Sequence, residues 1–305
     1  MPQNLVLVTG AAGGNQGQTG RHVSELLLAQ GVPVRAFVHR IDERSDRLRA
    51  LGADVVEGDL LDIASVRTAL RDVDRVYFAY PVQDGLLDAT GITAVNARDA
   101  GVSRLVNLVM LQSSLDAPTP RMQQNYLSER IFDWAGVGAL HLRATVFFEN
   151  LRALIRMSFA AEGVIRIPLG SNRTVVPLVS AQDVARVATS LLTATATPEQ
   201  TIYPLIGDFL TVNDIVASVA HVLAKEVPYV DIRDDEWREM ALAQGFNAHS
   251  VRHLSALWKS LRAAGGETER FSVANPALFS GMIPKKFAQF VRDEVAVLAT
   301  PLAHR

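Results

Sequence analysis

The stretch Thr9-Gly10-Ala11-Ala12-Gly13-Gly14-Asn15-Gln16-Gly17-Gln18-Thr19-Gly20 has residue types and spacing suited to holding an anion. It follows the apolar run Leu5-Val6-Leu7-Val8 and precedes a helical pattern, Val23, Leu26, Leu27, Leu28. A strand, a glycine-rich turn and a helix start together hold a dinucleotide pyrophosphate. Glycine permits the sharp turn and lets backbone approach phosphate. The helix start adds free N–H groups and the positive end of its dipole. Gly10, Gly13, Gly14, Asn15, Gln16 and Gly17 are therefore the expected phosphate-binding residues. The spacing departs from G-x-G-x-x-G. Gly10, Gly13 and Gly17 give G-x-x-G-x-x-x-G, and Gly10, Gly14 and Gly17 give G-x-x-x-G-x-x-G. A strand–helix turn that is tight for packing alone is the competing assignment.

Further along, Val32-Pro33-Val34-Arg35-Ala36-Phe37-Val38 reads as a second parallel strand ending in His39-Arg40, with Arg44 soon after. Sites for NAD place an acid here for the ribose 2′-hydroxyl, whereas arginine suits a 2′-phosphate. A guanidinium bonds phosphate through two N–H groups and keeps its charge. Arg40 thus points to NADP(H); ion pairing of Arg40 and Arg44 with Asp42 or Glu43 is the alternative. Asp59, beside Leu60, could accept from the adenine amino group or serve as a helix-start acid. Tyr80-Pro81 could line the adenine or ribose, or form a simple turn.

These residues need strands to carry them to one edge. Short apolar runs predict strands near Leu5–Val8, Val34–Val38, Asp54–Glu57, Arg75–Ala79, Arg104–Val109 and Ala139–Arg143. Helices are expected between them, roughly Gly17–Gln30, Glu43–Leu51, Ile63–Leu70, Leu86–Ala100 and Met122–Trp134. This alternation is the pattern of an α/β, doubly wound parallel sheet, with the ligand at the strands' carboxyl ends. Beyond Asn150 the alternation changes, which predicts a smaller C-terminal α/β lobe. Residues 1–150 form the expected cofactor domain. Residues 151–305 form a substrate or partner lobe, with some elements, such as Ile202–Ile206, returning to the main sheet.

Bulk composition excludes several classes. The chain has 305 residues, 30 Lys+Arg against 32 Asp+Glu, and no cysteine. Thiol catalysis and disulfides are therefore absent. Near-neutral charge without basic–aromatic blocks argues against nucleic-acid binding. No apolar stretch reaches membrane-spanning length, and no signal peptide is apparent, so a cytoplasmic location is expected. The seven histidines lack H-E-x-x-H spacing, and no metal site is expected.

Four segments resemble the NmrA-like branch of the atypical short-chain dehydrogenase/reductases. They are Val8-Thr9-Gly10 through Gly17; Val34 to Arg40; Val55-Val56-Glu57-Gly58-Asp59-Leu60; and His141-Leu142-Arg143-Ala144-Thr145-Val146-Phe147-Phe148-Glu149-Asn150-Leu151. The last is similar to the family's LRPxxFxEN segment, with Ala144 in place of proline. The resemblance implies a Rossmann fold and NADP(H). It also implies one of two activities: reduction of quinones or dyes, or non-catalytic regulation.

The superfamily's Tyr-x-x-x-Lys pair has its nearest match in Tyr126-Leu127-Ser128-Glu129-Arg130. The resemblance makes Tyr126 the candidate proton donor, with Arg130 in the lysine's place. All four lysines, Lys225, Lys259, Lys285 and Lys286, lie beyond residue 224. If Glu129 is the family's helix glutamate, Asn125 stands where NmrA-like reductases often keep a lysine. The serine of the fifth strand's end is replaced by Leu111-Gln112, ahead of Ser113-Ser114. Phe148, with Phe147, is expected against the nicotinamide or acceptor, core packing being the alternative. Asn150 could cap the following helix. His249 and His253, one turn apart, could share a face toward the cleft, although surface placement is the expectation; Trp237 and Trp258 are expected to pack the lobe.

The sequence thus predicts an NADP(H)-dependent oxidoreductase that reduces a small conjugated or quinone-like acceptor. The alternative is a non-catalytic NADP(H)-binding sensor or regulator of the NmrA type. The expected partner is a small molecule, with a protein partner or homodimer also open.

Overall fold

In the computed structural model, which describes residues 4–14, 18–196, 198–267 and 282–294, the predicted alternation is realised. The first part runs β1 (Val6–Thr9), α1 (Thr19–Ala29), β2 (Val34–Val38), α2 (Glu43–Ala50), β3 (Asp54–Glu57), α3 (Ile63–Ala69), β4 (Arg75–Phe78), α4 (Leu86–Asp99), β5 (Arg104–Met110), α5 (Pro120–Ala135) and β6 (Ala139–Ala144). It continues with β7 (Val146–Phe147), α6 (Phe148–Glu162), β8 (Ile165–Arg166), β9 (Val175–Val179), α7 (Ala181–Thr193), β10 (Ile202–Leu205), β11 (Asp208–Thr211) and α8 (Val212–Leu223). The last elements are β12 (Tyr229–Val230), α9 (Asp234–Ala243), α10 (Ala248–Ala264) and α11 (Phe287–Asp293).

The main sheet has seven strands in the order β3-β2-β1-β4-β5-β6-β10, every pair parallel. Strand order reverses between β1 and β4, so their carboxyl ends open a crevice where ligands bind in such sheets. Helices cover both faces. On one, Val23 and Leu27 of α1 and Val184 and Ala188 of α7 are fully buried in one cluster with β1 and β2. On the other, α3, α4 and α5 bury Val66, Leu86 and Phe132. Each large apolar side chain so buried contributes about 1.5–3 kcal/mol. The strands read as near-continuous apolar runs because both faces are covered.

Local chemistry sets the helix starts. The Asp42 carboxylate accepts from Arg44 N–H, while Ser45 completes a capping box on α2. For α5, Thr119 is the N-cap and Pro120 the first helical residue, so the helix begins before the predicted Met122. Ser180 caps α7 by accepting the Asp183 N–H at 3.0 Å. The reciprocal bond of a capping box, from the Ser180 backbone N–H to the Asp183 carboxylate, is replaced. That carboxylate accepts the Ser180 hydroxyl at 2.8 Å and the Lys285 N–H at 2.8 Å. Asn150 lies inside α6, whose N-cap is Phe147, so it is not the expected cap.

The later residues add a three-stranded sheet, β11-β9-β7, and a β12-β8 pair. Ile202–Leu205, as β10, joins the main sheet beside β6. A third core forms here from α6, α8, α9, α10 and α11, including Phe148, Trp237, Trp258, Phe287 and Phe290. The two tryptophans meet edge to face at 6.2 Å, the packing role expected of them.

Candidate functional site

The crevice is built from β1 outward. Thr9 Oγ1 donates to Ala79 O at 2.9 Å and accepts the Ala79 N–H at 2.8 Å, tying the ends of β1 and β4 together. Gly10 and Gly13 then take positive φ, 63° and 70°, closing a turn through the Gly13 N–H to Gly10 O bond at 3.0 Å. An L side chain is strained in that region. Gln18 bridges the turn: its amide donates to Gly14 O at 3.1 Å, and Arg21 donates to its oxygen at 2.9 Å. Asn15, Gln16 and Gly17 lie outside the described residues.

Gly20, in the first turn of α1, makes the close helix–strand contact. A Cβ there would stand 2.6 Å from both Thr9 O and Gly10 O. Gly17 lies outside the described residues, and Gly20, a further glycine one turn into the helix pattern that the spacing argument did not single out, is the one seen to pack here.

A cleft of about 1170 Å³ runs from Gly10, Gly13 and Gly14 across the carboxyl ends of β4, β5 and β6. Tyr80 and Pro81 line it, and so do Leu111, Gln112 and Phe147. Its far wall is apolar, with Leu154 and Met157 from α6 and Leu254, Leu257 and Trp258 from α10. Three bonds hold α10 against the sheet edge. Asn247 donates to Val82 O at 3.2 Å, and His249 Nδ1 lies 2.9 Å from Asp84 Oδ1. His253 Nδ1 lies 3.0 Å from Thr119 Oγ1. Both histidines are buried rather than at the surface, but only His253 lines the cleft, His249 being turned to Asp84 instead; burial, then the Arg121 charge, pushes the His253 imidazole down to about 3.

Arg40 is exposed at the end of β2. Arg44 reaches from α2 over the glycine turn, where Nη1 donates to Gly13 O at 2.9 Å, and it pairs with Asp42 at 2.6 Å. Its proximity holds the Asp42 carboxyl down to about 2. Asp59 is exposed after β3, and its carboxylate accepts the Leu61 N–H at 2.9 Å. The α3 cap is Asp62 instead. Neither Asp59 nor Leu60 lies on the cleft wall.

Two expected residues are placed elsewhere. Phe148 is fully buried against Phe287 and Phe290 at 5.3 and 5.5 Å, so its neighbour Phe147 meets the cleft. The main chain turns into α6 at this point, which directs successive side chains to different sides. Tyr126 is off the wall, its ring beneath the Arg130 guanidinium at 5.3 Å. A helix presents every third or fourth residue, and α5 presents Arg121, Met122 and Asn125 to the cleft. Asn125 is 3% exposed, with no partner for Oδ1. Ser113 folds back, donating to Met110 O at 2.6 Å.

The family-like segment at the end of β6 is fixed by ion pairs. Arg143 binds the fully buried Glu129 with two bonds of 2.7 and 2.6 Å. Glu149 accepts the Ala181 N–H, at 3.1 and 3.3 Å to its two oxygens, anchoring α6 to the start of α7. Burial pushes its carboxyl up to about 7, against the lowering effect of its backbone hydrogen bonds and Arg152. Among the described residues no cluster could hold a metal ion, and no helix is long and apolar enough to cross a membrane.

Known proteins resemble this chain in sequence and in fold. The NAD(P)H azoreductase of Xenophilus azovorans is 24% identical over 242 residues, covering 79% of this chain and 82% of that protein. A (4-alkanoyl-5-oxo-2,5-dihydrofuran-3-yl)methyl phosphate reductase of Streptomyces griseus is 29% identical over 245 residues, covering 79% and 81%. The fold matches the Escherichia coli NADPH-dependent quinone oxidoreductase solved with NADPH, at TM-score 0.78, 19% identity and coverage of 95% and 99%. The family pattern itself spans residues 2–257, and the chain belongs to the NmrA-like family.

Proposed function

We propose that the protein is an NADP(H)-dependent oxidoreductase that reduces a small conjugated or quinone-like acceptor. One observation carries this reading. A single cleft joins a phosphate-type glycine turn to an apolar wall, with room for a dinucleotide and a second molecule. The cofactor fits the residues present. Gly10 and Gly13 supply the turn and Gly20 the helix packing, while a Cβ at Gly14 would meet no atom within 4 Å. Arg40 and Arg44, the latter over the glycine turn, would hold the 2′-phosphate and Tyr80 and Pro81 the ribose side, while Asp59 and Leu60, off the cleft wall, have no part in this reading. Bound NADPH supplies a hydride.

The chain's contribution is then placement. Leu111, Phe147 and the α10 wall exclude water and press an acceptor into the cleft, a proximity effect of several kcal/mol. In this reading residues 1–150 supply most of the cofactor site and residues 151–305 most of the acceptor wall. A cytoplasmic location accords with NADPH use.

Tyr126 standing off the wall favours a second reading, a non-catalytic NADP(H)-responsive regulator acting on a protein partner or second copy. NADPH oxidation followed at 340 nm across quinones, azo dyes, imines and aldehydes separates the two. Turnover with a quinone or dye supports the reductase. Tight NADPH binding without turnover on any acceptor supports the regulator.

A further inference from the structure

We infer that Arg121 and His253 form an oxyanion-binding pair in the cleft, selecting neutral or anionic conjugated carbonyl acceptors, quinones above all, over cationic dyes. The inference rests on the reductase reading. Arg121 lies in the first turn of α5, 2% exposed. Its Nη atoms donate to Tyr80 O at 2.9 Å and Gln83 O at 3.1 Å, while Nε has no acceptor. No carboxylate pairs with it among the described residues. Burial draws the guanidinium down to about 10, which leaves it charged at neutral pH. A buried charge without a counterion is costly, and a ligand's negative charge is the natural compensation. The rest of the wall agrees. Arg121 and Arg156 line the cleft, and no Asp or Glu does among the described residues.

His253 faces the same cleft from α10. Its Nδ1 is 3.0 Å from Thr119 Oγ1, which already accepts the Met122 N–H at 3.1 Å as the α5 cap. The arrangement satisfying all three groups has the Thr119 hydroxyl donating to Nδ1. That assigns the proton to Nε2, the ring nitrogen away from Thr119. A neutral imidazole N–H polarises a carbonyl without giving up its proton. Asn125, one turn beyond Arg121, brings a further side-chain amide to the wall.

A quinone that gains a hydride, two electrons and one proton from the reduced cofactor, becomes a hydroquinone monoanion, and water supplies the second proton. The charge develops on oxygen. Nε2–H donates to that oxygen, and the buried guanidinium favours it through space in a medium of low dielectric. A triphenylmethane cation meets the same positive field and is disfavoured.

Binding of 4-nitrophenol with NADP⁺ present tests the pair without turnover. The native protein should bind the dye as its phenolate, seen as the red-shifted band at a pH where free dye is mainly protonated. His253→Leu should weaken binding about ten-fold, His253→Gln should retain most of it, and Arg121→Met should remove the red shift. Kinetics with 1,4-naphthoquinone and crystal violet form the second arm. The quinone should be favoured in kcat/KM by about ten-fold or more. His253→Leu should lower its kcat about 10–100-fold with KM little changed, and Gln should largely restore it. Dye bound as neutral phenol, equal binding by all variants, or preference for crystal violet would each overturn the pair. Should His253→Leu fail to fold, judged by circular dichroism, Arg121→Met decides the outcome on the phenolate band. Phenolate binding without turnover of any acceptor would refute the reductase reading and leave the pair standing.

Discussion

Glu149→Gln should make the protein more stable at alkaline pH and leave acid stability almost unchanged. Glu149 is 9% exposed, and its carboxyl rises from an ordinary 4.5 to about 7, chiefly through burial. A carboxyl raised in the folded state binds more protons there than in the unfolded chain between these two values. Folding stability therefore falls as pH rises through that window. Below 4.5 both states are protonated and the residue contributes no pH-dependent term. Above 7 both are ionised and the full penalty applies, about 3 kcal/mol at 1.36 kcal/mol for each pH unit. Glutamine keeps an oxygen for the Ala181 N–H and removes the ionisation. Its extra N–H group needs a partner, so the expected gain at about pH 8 is roughly 2 kcal/mol, against near zero at about pH 4. Urea unfolding of both proteins at the two pH values measures the difference directly, through the midpoint and slope. A variant less stable than the native protein at pH 8 would refute the argument, because the ionised carboxylate would then be stabilising at the α7 N-terminus.

Gly20→Val should fold less stably by about 1–3 kcal/mol and lose NADPH affinity, because its Cβ would press Thr9 O and Gly10 O at 2.6 Å; calorimetric titration with unchanged affinity would show that the turn tolerates a shifted α1. Arg40→Ala and Arg44→Ala should each weaken NADPH about ten-fold and spare NADH, one charge-assisted contact apiece, and equal loss of both cofactors would remove the 2′-phosphate assignment. Tyr126→Phe should change turnover by less than about ten-fold, since its ring packs under Arg130 away from the cleft; a drop near a hundred-fold, with loss of a limb in the pH–rate profile, would restore it as an acid.

The sequence by itself determined the layered fold and the location of its ligand edge. Val6–Thr9, Val34–Val38 and Arg75–Phe78 are short, apolar on both sides and separated by amphipathic helices, a pattern only a covered parallel sheet satisfies. The glycine turn was legible because positive φ at Gly10 and Gly13 tolerates few other residues, whereas the close approach at Gly20 showed only once α1 was packed on β1. Tertiary structure decided which side chains meet inside the cleft. Phe147 and Phe148 are chemically alike and adjacent, and only the turn from β7 into α6 sends one to the cleft and the other to the core. Helical period alone left Tyr126 and Asn125 equally eligible until packing of α5 fixed its face. Arg121 and His253 lie far apart in sequence, and Thr119 brings their helices together only after α10 docks on the sheet edge. Local pattern specifies elements through backbone geometry and solvent contrast, whereas a site assembled from distant segments is specified by how those elements dock.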